Sequence, residues 1–222
     1  MGEIYVHHRL LAAPRRWAAV ADELNSEPRR QRLSQAGGAL YGIWRSQIGR
    51  PRDELNAITV WPEGMGAPLE AAGGWCGGQG CVDGVVEAAQ RVMRPTLRPL
   101  DATPPIRQGN YAFRYFETPS DHWGEFLKLC ADAWPGFENA YDSQVIGLWA
   151  YETETRPGCR ASLLLTRRPN LAMWERSKLP ENEREAAVRA KLSRRYDLCD
   201  ETHVHTTTLI TAADERDGAR WA

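Results

Sequence analysis

Two stretches, "IYVHHRLLAAPRRWAAV" (4–20) and "NYAFRYFETPSDHWGEF" (110–126), are the main indication of the fold because the second repeats the pattern of the first. Aligned at an offset of 106 residues, they bring three pairs together: Tyr5 with Tyr111, His8 with Arg114, and Trp17 with Trp123. Further on, "YGIW" (41–44) matches "IGLW" (146–149) at an offset of 105. Landmarks in the same order at nearly constant spacing predict an internal duplication.

Each half of the chain has the same order of predicted elements. An alternating strand leads into an amphipathic helix, two strands follow as a hairpin, and a helical segment and a closing strand complete the half. The predicted bounds in the first half are 3–10, 14–24, 39–48, 54–61, 82–93 and 95–100, and in the second 109–117, 118–134, 143–153, 159–168, 170–195 and 202–210. Pro14 is predicted near N1 of the first helix, and Ser120 or Asp121 as the N-cap of its counterpart.

The order βαββαβ is that of the ferredoxin-like unit, an α+β fold with helices on one face of an antiparallel sheet. The other face must be covered, and a tandem copy can cover it. The sequence therefore predicts two ferredoxin-like βαββαβ repeats whose antiparallel sheets pack face to face as an intrachain α/β barrel. We place the repeats at 1–101 and 109–212, with a linker at 102–108 and a C-terminal tail at 213–222.

Composition argues against several classes of function. The 222 residues are 42% hydrophobic and carry a net charge of −1, so no global field favours nucleic acid or a membrane. The basic pairs Arg15-Arg16, Arg29-Arg30 and Arg194-Arg195 are interleaved with acids and are interpreted as solvated helix faces. The first residues lack the pattern of a signal peptide and no apolar run has membrane-spanning length, so we expect a cytoplasmic protein.

The cysteines do not indicate a metal site or a disulfide framework. There are five, an odd and scattered set, which suits a reducing compartment. Cys76 and Cys81 are close neighbours in "CGGQGC", but no second Cys or His pair accompanies them. We interpret this segment as a glycine-rich loop and predict no metal site.

Three motifs resemble the NIPSNAP-like branch of the dimeric α/β-barrel superfamily, in duplicated form. They are the opening strand with its Tyr and Arg114, the Gly-x-Trp strands ending at Trp44 and Trp149, and "LLLTRRPNLAMWERSK" (163–178). The resemblance implies a barrel cavity that serves as a binding or active site. It also implies relatives that include cofactor-free monooxygenases acting on phenolic polyketides, cyclases, isomerases, dehydratases and some haem enzymes. NIPSNAP-like proteins themselves mostly lack an assigned reaction.

Strand alternation and this resemblance together predict the site. Val6, His8 and Leu10 share one face of the first strand, and the family pattern turns the face of His8 and Arg114 toward the barrel interior. In the closing strand, "ETHVHTTTLIT" places His203 and His205 on one face. We therefore expect His8, Arg114, His203 and His205 to converge on one cavity. His7 is predicted to be packed under a helix or exposed.

The chemistry predicted for this cavity is acid–base catalysis. His205 or His8 would move a proton, because imidazole titrates near neutrality, while Arg114 holds a carboxylate or enolate oxygen and Tyr111 donates to a second oxygen. The predicted substrate contacts are His203, Trp44, Trp149, Phe116, Tyr151 and Arg167. Nine tryptophans favour a pocket for an aromatic or phenolic ligand.

Two functional hypotheses follow from the sequence. The first is a cofactor-independent lyase, isomerase, dehydratase or oxygenase acting on an aromatic or polyketide-like molecule, with haem or a divalent metal left open. The second is a non-catalytic ligand-binding or interaction protein of the NIPSNAP type. A homodimer is compatible with either.

Overall fold

The computed structural model describes residues 2–64, 68–76 and 82–214. Its eight strands are β1 (Glu3–Ala12), β2 (Ala39–Ile48), β3 (Glu54–Pro62), β4 (Val85–Arg98), β5 (Asn110–Pro119), β6 (Gln144–Tyr151), β7 (Cys159–Arg168) and β8 (Glu201–Leu209). Its six helices are α1 (Trp17–Asn25), α2 (Glu27–Gln35), α3 (Pro68–Cys76), α4 (Trp123–Tyr141), α5 (Leu171–Arg176) and α6 (Glu183–Asp197). None of these helices is long and apolar enough to cross a bilayer.

The strands form one antiparallel sheet in the order β1-β3-β2-β8-β5-β7-β6-β4, which closes into a ring. The chain divides into two compact units, and β4 and β8 each give residues to both. The order βαββαβ occurs once in each half. In each half, one helical segment joins the first strand to the second and another joins the third to the fourth: α1–α2 and α3 in the first half, α4 and α5–α6 in the second. The predicted α+β fold of two ferredoxin-like repeats is confirmed.

In the first unit, the helices cover the face of the sheet that carries Val6 and Leu10. These side chains pack with Val20 and Leu24 of α1 and with Trp75 of α3 in one apolar core. β1 lies between β3 and β4, so that His8 is opposite Ala57 on one side and Gln90 on the other. The helix-covered face of β1 is therefore the face of Val6, His8 and Leu10.

The second unit repeats this arrangement with longer helices. Phe116 and Leu164 of the sheet pack with Phe126 and Trp134 of α4, and α6 adds partly buried side chains to the same core. α4 and α6 approach closely at Gly136, where a Cβ atom would collide with Val188. The helix-covered face of β5 is therefore the face that bears Phe116 and, by alternation, Arg114.

The repeated Gly-x-Trp motif has a structural explanation. In both halves the tryptophan ring lies over the glycine two residues before it, and a Cβ atom on Gly42 or Gly147 would collide with the ring of Trp44 or Trp149. Each glycine follows a shift in strand register, a β-bulge. Both tryptophans are fully buried.

The helix predicted over 82–93 is wrong, because this segment belongs to the 14-residue strand β4. Its residues "VVEAAQRVM" include good helix formers, but pairing with β1 from Tyr5–Met93 to Ala12–Val85 overrides that local preference. The helix of this half is α3, which ends at Cys76. The predicted helix starts are also displaced, since α1 begins at Trp17, and α4 has His122 as its N-cap. Cys81 lies outside the described residues.

Candidate active site

Arg114 lies beside a cavity of about 40 Å³ in the second unit, between its sheet and its helices. The sheet contributes Arg114, Val145, Leu164, Thr166 and Arg168. The helices and the segment after α5 contribute Trp134, Phe137, Ser177, Lys178, Arg189, Leu192, Arg195 and Tyr196. The predicted barrel-facing orientation of Arg114 is therefore wrong, because the guanidinium lies on the helix-covered face of its own repeat.

Five of the lining side chains are cationic, and none of the described residues contributes a carboxylate to the lining. Arg114, Arg168 and Arg195 are buried, with 7%, 4% and 3% of their surface exposed. Across residues 2–64, 68–76 and 82–214, none of the five forms an ion pair with an acid, whereas Arg176 nearby binds both Glu181 and Glu185. Positive charge is therefore concentrated here without an ion-pair partner in the described part of the chain.

Burial and mutual repulsion lower the pKa values of these cations. The pKa of Arg114 is lowered to about 9, first by burial and then by the charges of Arg195, Arg168 and Arg189. Burial lowers the pKa of Arg168 to about 10. Lys178 is an exposed residue, but the partial desolvation of its ammonium group and the charge of Arg114, followed by those of the other arginines, lower its pKa to about 8.

Aromatic rings, rather than acids, hold the guanidinium groups in place. Arg195 lies over the ring of Phe116 and Arg168 over that of Phe137, each with its central carbon 4.9 Å from the ring centroid. Arg114 lies 5.5 Å from the ring of Tyr196. Such cation–π contacts offset only part of the cost of burying a charge.

Within the part of the chain that the structure describes, two buried donors of these arginines have no hydrogen-bond partner, namely Nε of Arg168 and Nε of Arg195. Arg168 Nη1 makes a long hydrogen bond of 3.4 Å to Thr166 Oγ1, and Arg195 Nη1 donates over 3.5 Å to Cys130 Sγ, a weak acceptor. Because buried polar groups are normally satisfied, unpaired guanidinium donors of this kind are available to an anion. The interpretation of Arg194-Arg195 as a solvated helix face is wrong for Arg195. It is also wrong for Arg29, which is buried and donates to the carbonyl of Trp75.

His8, the counterpart of Arg114, belongs to a neutral hydrogen-bond network. Its Nδ1 lies 2.9 Å from Cys76 Sγ, and its Nε2 lies 2.9 Å from Thr59 Oγ1. Gln90 donates to the same sulfur, and the indole of Trp61 donates to the same hydroxyl. Burial lowers the pKa of His8 to about 3, so the imidazole is neutral. The structure places His8 against α3, and not on the barrel-facing side where it was predicted.

The opposite face of the sheet in the first unit carries a second group of polar side chains. His7 Nε2 lies 2.9 Å from Asn56 Oδ1, and Asn56 Nδ2 lies 3.4 Å from His205 Nε2. Burial lowers the pKa of His7 to about 4. The prediction that His7 is packed under a helix or exposed is wrong. Asn56 was missed, although an isolated amide in the apolar strand "ELNAITVW" was a signal for it.

The remaining predicted residues lie apart from the cationic cavity. His203 is exposed and stacks on Tyr115 of β5, with ring centroids 4.5 Å apart. Tyr111 is fully buried on the same face of β5 as Tyr115, opposite to Arg114. Tyr151 and Arg167 are buried, and Trp44 and Trp149 cover the glycines of their own strands. Of the predicted set, only Arg114 lines the cavity, with Phe116 directly beneath Arg195.

The residues that were missed on α6 follow a recognisable pattern in the sequence. Glu185, Val188, Arg189, Leu192, Arg195 and Tyr196 follow the three- and four-residue spacing of one helix face. Val188 and Leu192 mark that face as core, which places Arg189 and Arg195 toward the sheet. Lys178 had no comparable signal, because it follows the short helix α5.

The residues of the cavity do not fit haem or a structural metal. No histidine, cysteine or methionine lines it, and its one phenol, Tyr196, is next to the guanidinium of Arg114. Within the described residues, no group of three or more His, Cys, Asp and Glu side chains could hold a metal ion.

Comparison with solved structures supports the fold. A candidate monooxygenase from Lactobacillus acidophilus NCFM superposes with a TM-score of 0.59 at 9% identity, covering 98% of this chain and 100% of that one. An anthrone oxidase-like protein gives 0.58 at 11% identity, over 97% and 98% of the two chains. A mutant chlorite dismutase from Candidatus Nitrospira defluvii gives 0.57 at 5% identity, over 94% and 91%.

These similarities concern the fold: the chain shares its arrangement of helices and antiparallel strands with these solved proteins. No family model matches the sequence, and no curated protein matches it either. The predicted NIPSNAP relationship stays a prediction. At 5 to 11% identity the likeness concerns the fold, and the chemistry has to be argued from the cavity.

Proposed function

We propose that this protein is a small-molecule enzyme of the oxygenase type that needs no cofactor and binds an acidic substrate in the cavity beside Arg114. The observation that carries the proposal is that five cations, three of them buried, line one cavity to which no carboxylate of the described residues contributes. An anionic substrate would supply the missing charge and the missing hydrogen-bond acceptors. The fold is shared with a candidate monooxygenase and an anthrone oxidase-like protein, which favours oxygenation among the reactions considered.

The aromatic lining supports a substrate with a ring or another flat apolar body. Trp134, Phe137 and Tyr196 line the cavity together with the cations. A volume of about 40 Å³ suits the acidic group of such a substrate better than a whole fused-ring system, since one water already needs roughly 10–15 Å³. In this proposal the cations hold the acidic group while the rings contact the adjacent part of the molecule.

Lys178 is the proposed general base. With a pKa of about 8, an appreciable fraction of this amine is neutral near physiological pH. It would take a proton from an activated carbon of the substrate, and Arg114, Arg168 and Arg195 would stabilise the resulting carbanion or enolate. The electron-rich anion would then react with O₂ directly. Overall, one CH₂ group and one O₂ give one C=O group and one H₂O, so no external reductant is required.

This assignment replaces the proton-transfer role predicted for His8 and His205. His8 is held in a neutral network against α3, and His205 is bonded to Asn56 on the face away from the helices. Whether His205 takes part in catalysis stays a prediction. So does the predicted homodimer, which a measurement of molecular mass in solution would test.

Oxygen uptake tests the proposed function. Acidic phenols and 1,3-dicarbonyl compounds are incubated with the protein in an oxygen electrode, and product is followed by mass spectrometry. We expect one O₂ consumed per substrate, with kcat reduced at least a hundredfold in Lys178→Met and in Lys178→Arg, because a guanidinium cannot act as the base. Arg160→Met is the matched control, since Arg160 is an exposed residue of β7.

Two outcomes would contradict the proposal. Unchanged kcat in Lys178→Met would remove the assigned base. Retention of a compound without O₂ uptake or product, across the whole substrate panel, would support the alternative of a non-catalytic ligand-binding protein of the NIPSNAP type.

A further inference from the structure

We infer that the cavity beside Arg114 is built for a tetrahedral dianion, a phosphate-type oxyanion that is either free or the phosphate monoester group of a small molecule. This inference deepens the proposed function, on which it rests only for the identity of the substrate site. It concerns which acidic group the five cations select, and it can be tested by binding alone.

The charge of the cavity favours a dianion. Arg114, Arg168, Lys178, Arg189 and Arg195 line one cavity of about 40 Å³, and no acid among the described residues lines it. A single carboxylate would neutralise one of these charges and leave at least three guanidinium groups repelling each other in a partly buried site. A dianion compensates two charges at one point, so its interaction with the cluster is about twice as favourable at the same distance.

The origin of the cations also favours a tetrahedral group. They come from four different parts of the second unit: β5 (Arg114), β7 (Arg168), the segment after α5 (Lys178) and α6 (Arg189 and Arg195). Among the described residues, the Nε donors of Arg168 and Arg195 have no partner. A planar carboxylate offers two oxygens in one plane, whereas a tetrahedral oxyanion offers three or four that point in different directions. Cations that line one cavity from four elements match the tetrahedral group better than the planar one.

The size of the cavity also favours such a group. The cavity is small for a complete aromatic molecule and adequate for a compact group of a few heavy atoms. Thr166 is buried at its wall and can add a hydroxyl donor to an oxyanion oxygen, whereas the hydroxyl of Ser177 already donates to the carbonyl of Trp174. Compactness, a hydroxyl donor and guanidinium groups are together typical of phosphate recognition.

Isothermal titration calorimetry with four probes tests the inference. Inorganic phosphate and phenyl phosphate represent the two sources of the oxyanion, and acetate and benzoate at matched ionic strength are their carboxylate counterparts. We expect each phosphate probe to bind at least tenfold more tightly than its counterpart. Tighter binding of phenyl phosphate than of inorganic phosphate would identify an ester as the ligand, and the reverse order would identify the free ion.

Substitutions of the lining arginines test whether the phosphate probes bind in this cavity. Arg195→Met and Arg114→Met should each weaken binding of the phosphate probes at least tenfold, while Arg160→Met should leave it unchanged. Thermal melts without ligand establish that each variant is folded. The affinity for phenyl phosphate should rise from pH 5 to pH 7, as the group becomes a dianion with a pKa near 6, whereas benzoate is already ionised in this range.

Equal affinity for phosphate and acetate, or phosphate binding that both arginine variants retain, would overturn the inference. Its failure is distinguishable from failure of the proposed function. Phosphate binding without O₂ uptake would uphold the inference and remove the oxygenase. O₂ uptake with carboxylate substrates, together with no binding of phosphate, would uphold the oxygenase and overturn the inference.

Discussion

His8 and Arg114 occupy equivalent positions of the two repeats, yet their surroundings are opposite in kind. Both side chains lie on the helix-covered face of the opening strand, 106 residues apart in the chain. Around His8, each polar atom of the network has a partner, and the imidazole is neutral. Around Arg114, five cations line one cavity, and among the described residues two buried guanidinium donors have no hydrogen-bond partner. The two repeats share one framework, but the position in the first repeat is a neutral hydrogen-bond network and the position in the second lines a charged cavity.

The two positions contribute differently to stability and to ligand binding. A satisfied buried network stabilises the fold, and removing any member leaves its partners unsatisfied. An unpaired buried cation destabilises the fold and is retained where a ligand compensates it. Substitutions at the two equivalent positions should therefore change stability in opposite directions.

The largest effect is expected at the closed position. His8→Ala removes the acceptor and donor that serve Cys76 and Thr59 and opens a cavity next to Trp75, so we expect the free energy of unfolding to fall by about 3 kcal/mol. Urea denaturation measures this change. Binding of phosphate in the second unit should be unaffected. A loss of stability below about 0.5 kcal/mol would mean that the network is not structural.

Lowering the pH should destabilise the first unit through its buried histidines. The folded-state pKa values of His8 and His7 are about 3 and about 4, below the ordinary value of 6.5. Below pH 6.5 the unfolded chain binds protons that the folded state does not, so stability falls until the pH reaches the folded-state pKa. Between pH 6.5 and 5, each histidine should contribute a loss of about 2 kcal/mol.

The matched variant separates this effect from the titration of carboxylates. The free energy of unfolding is measured by urea denaturation at pH 6.5 and at pH 5 for the wild type and for His8→Gln. The loss between the two pH values should be smaller in His8→Gln, by the contribution of one histidine. An identical pH dependence in the two proteins would contradict the neutral network and the comparison built on it.

At the open position the expected change in stability is smaller and opposite in sign. Arg114→Met keeps the apolar length of the side chain and removes a charge that burial and three neighbouring arginines disfavour. We expect the free energy of unfolding of the ligand-free protein to rise by about 1 kcal/mol, while ligand binding is lost. Urea denaturation measures the change in stability, and calorimetry measures the loss of ligand binding. A destabilised Arg114→Met variant would show that the cation is already compensated.

The fold could be predicted from the sequence because its signals are local and repeated. The Gly-x-Trp pairs mark bulges at equivalent strand positions, and strand alternation survives in both halves. Local propensity failed at 82–93, where helix-forming residues such as Glu87, Ala88 and Ala89 are held in a strand by pairing with β1. That pairing joins residues about eighty positions apart and leaves no trace in a short window of sequence.

The candidate site was only partly predictable, for a different reason. Alternation predicts that Arg114 and Phe116 share a face, but both faces of the sheet are buried over β7 and over the first half of β5. Which face receives the helices therefore could not be decided from burial patterns. Arg114 was identified because a buried guanidinium needs an anion, and its partners Arg189, Arg195 and Lys178 were missed because their positions depend on how α6 and α5 dock.

The smallest effect is expected at His203, which lies on the other face of the sheet and tests whether that face takes part in the reaction. Its ring is exposed and stacks on Tyr115, so His203→Ala should lower the free energy of unfolding by about 0.5 kcal/mol. If the cavity beside Arg114 is the reaction site, kcat/KM should be unchanged, because His203 lies on the face of β8 that turns away from the helices. A tenfold loss in kcat/KM, with stability preserved, would place the reaction on the face of His203 and His205. The charged cavity would then be a binding site without a part in catalysis.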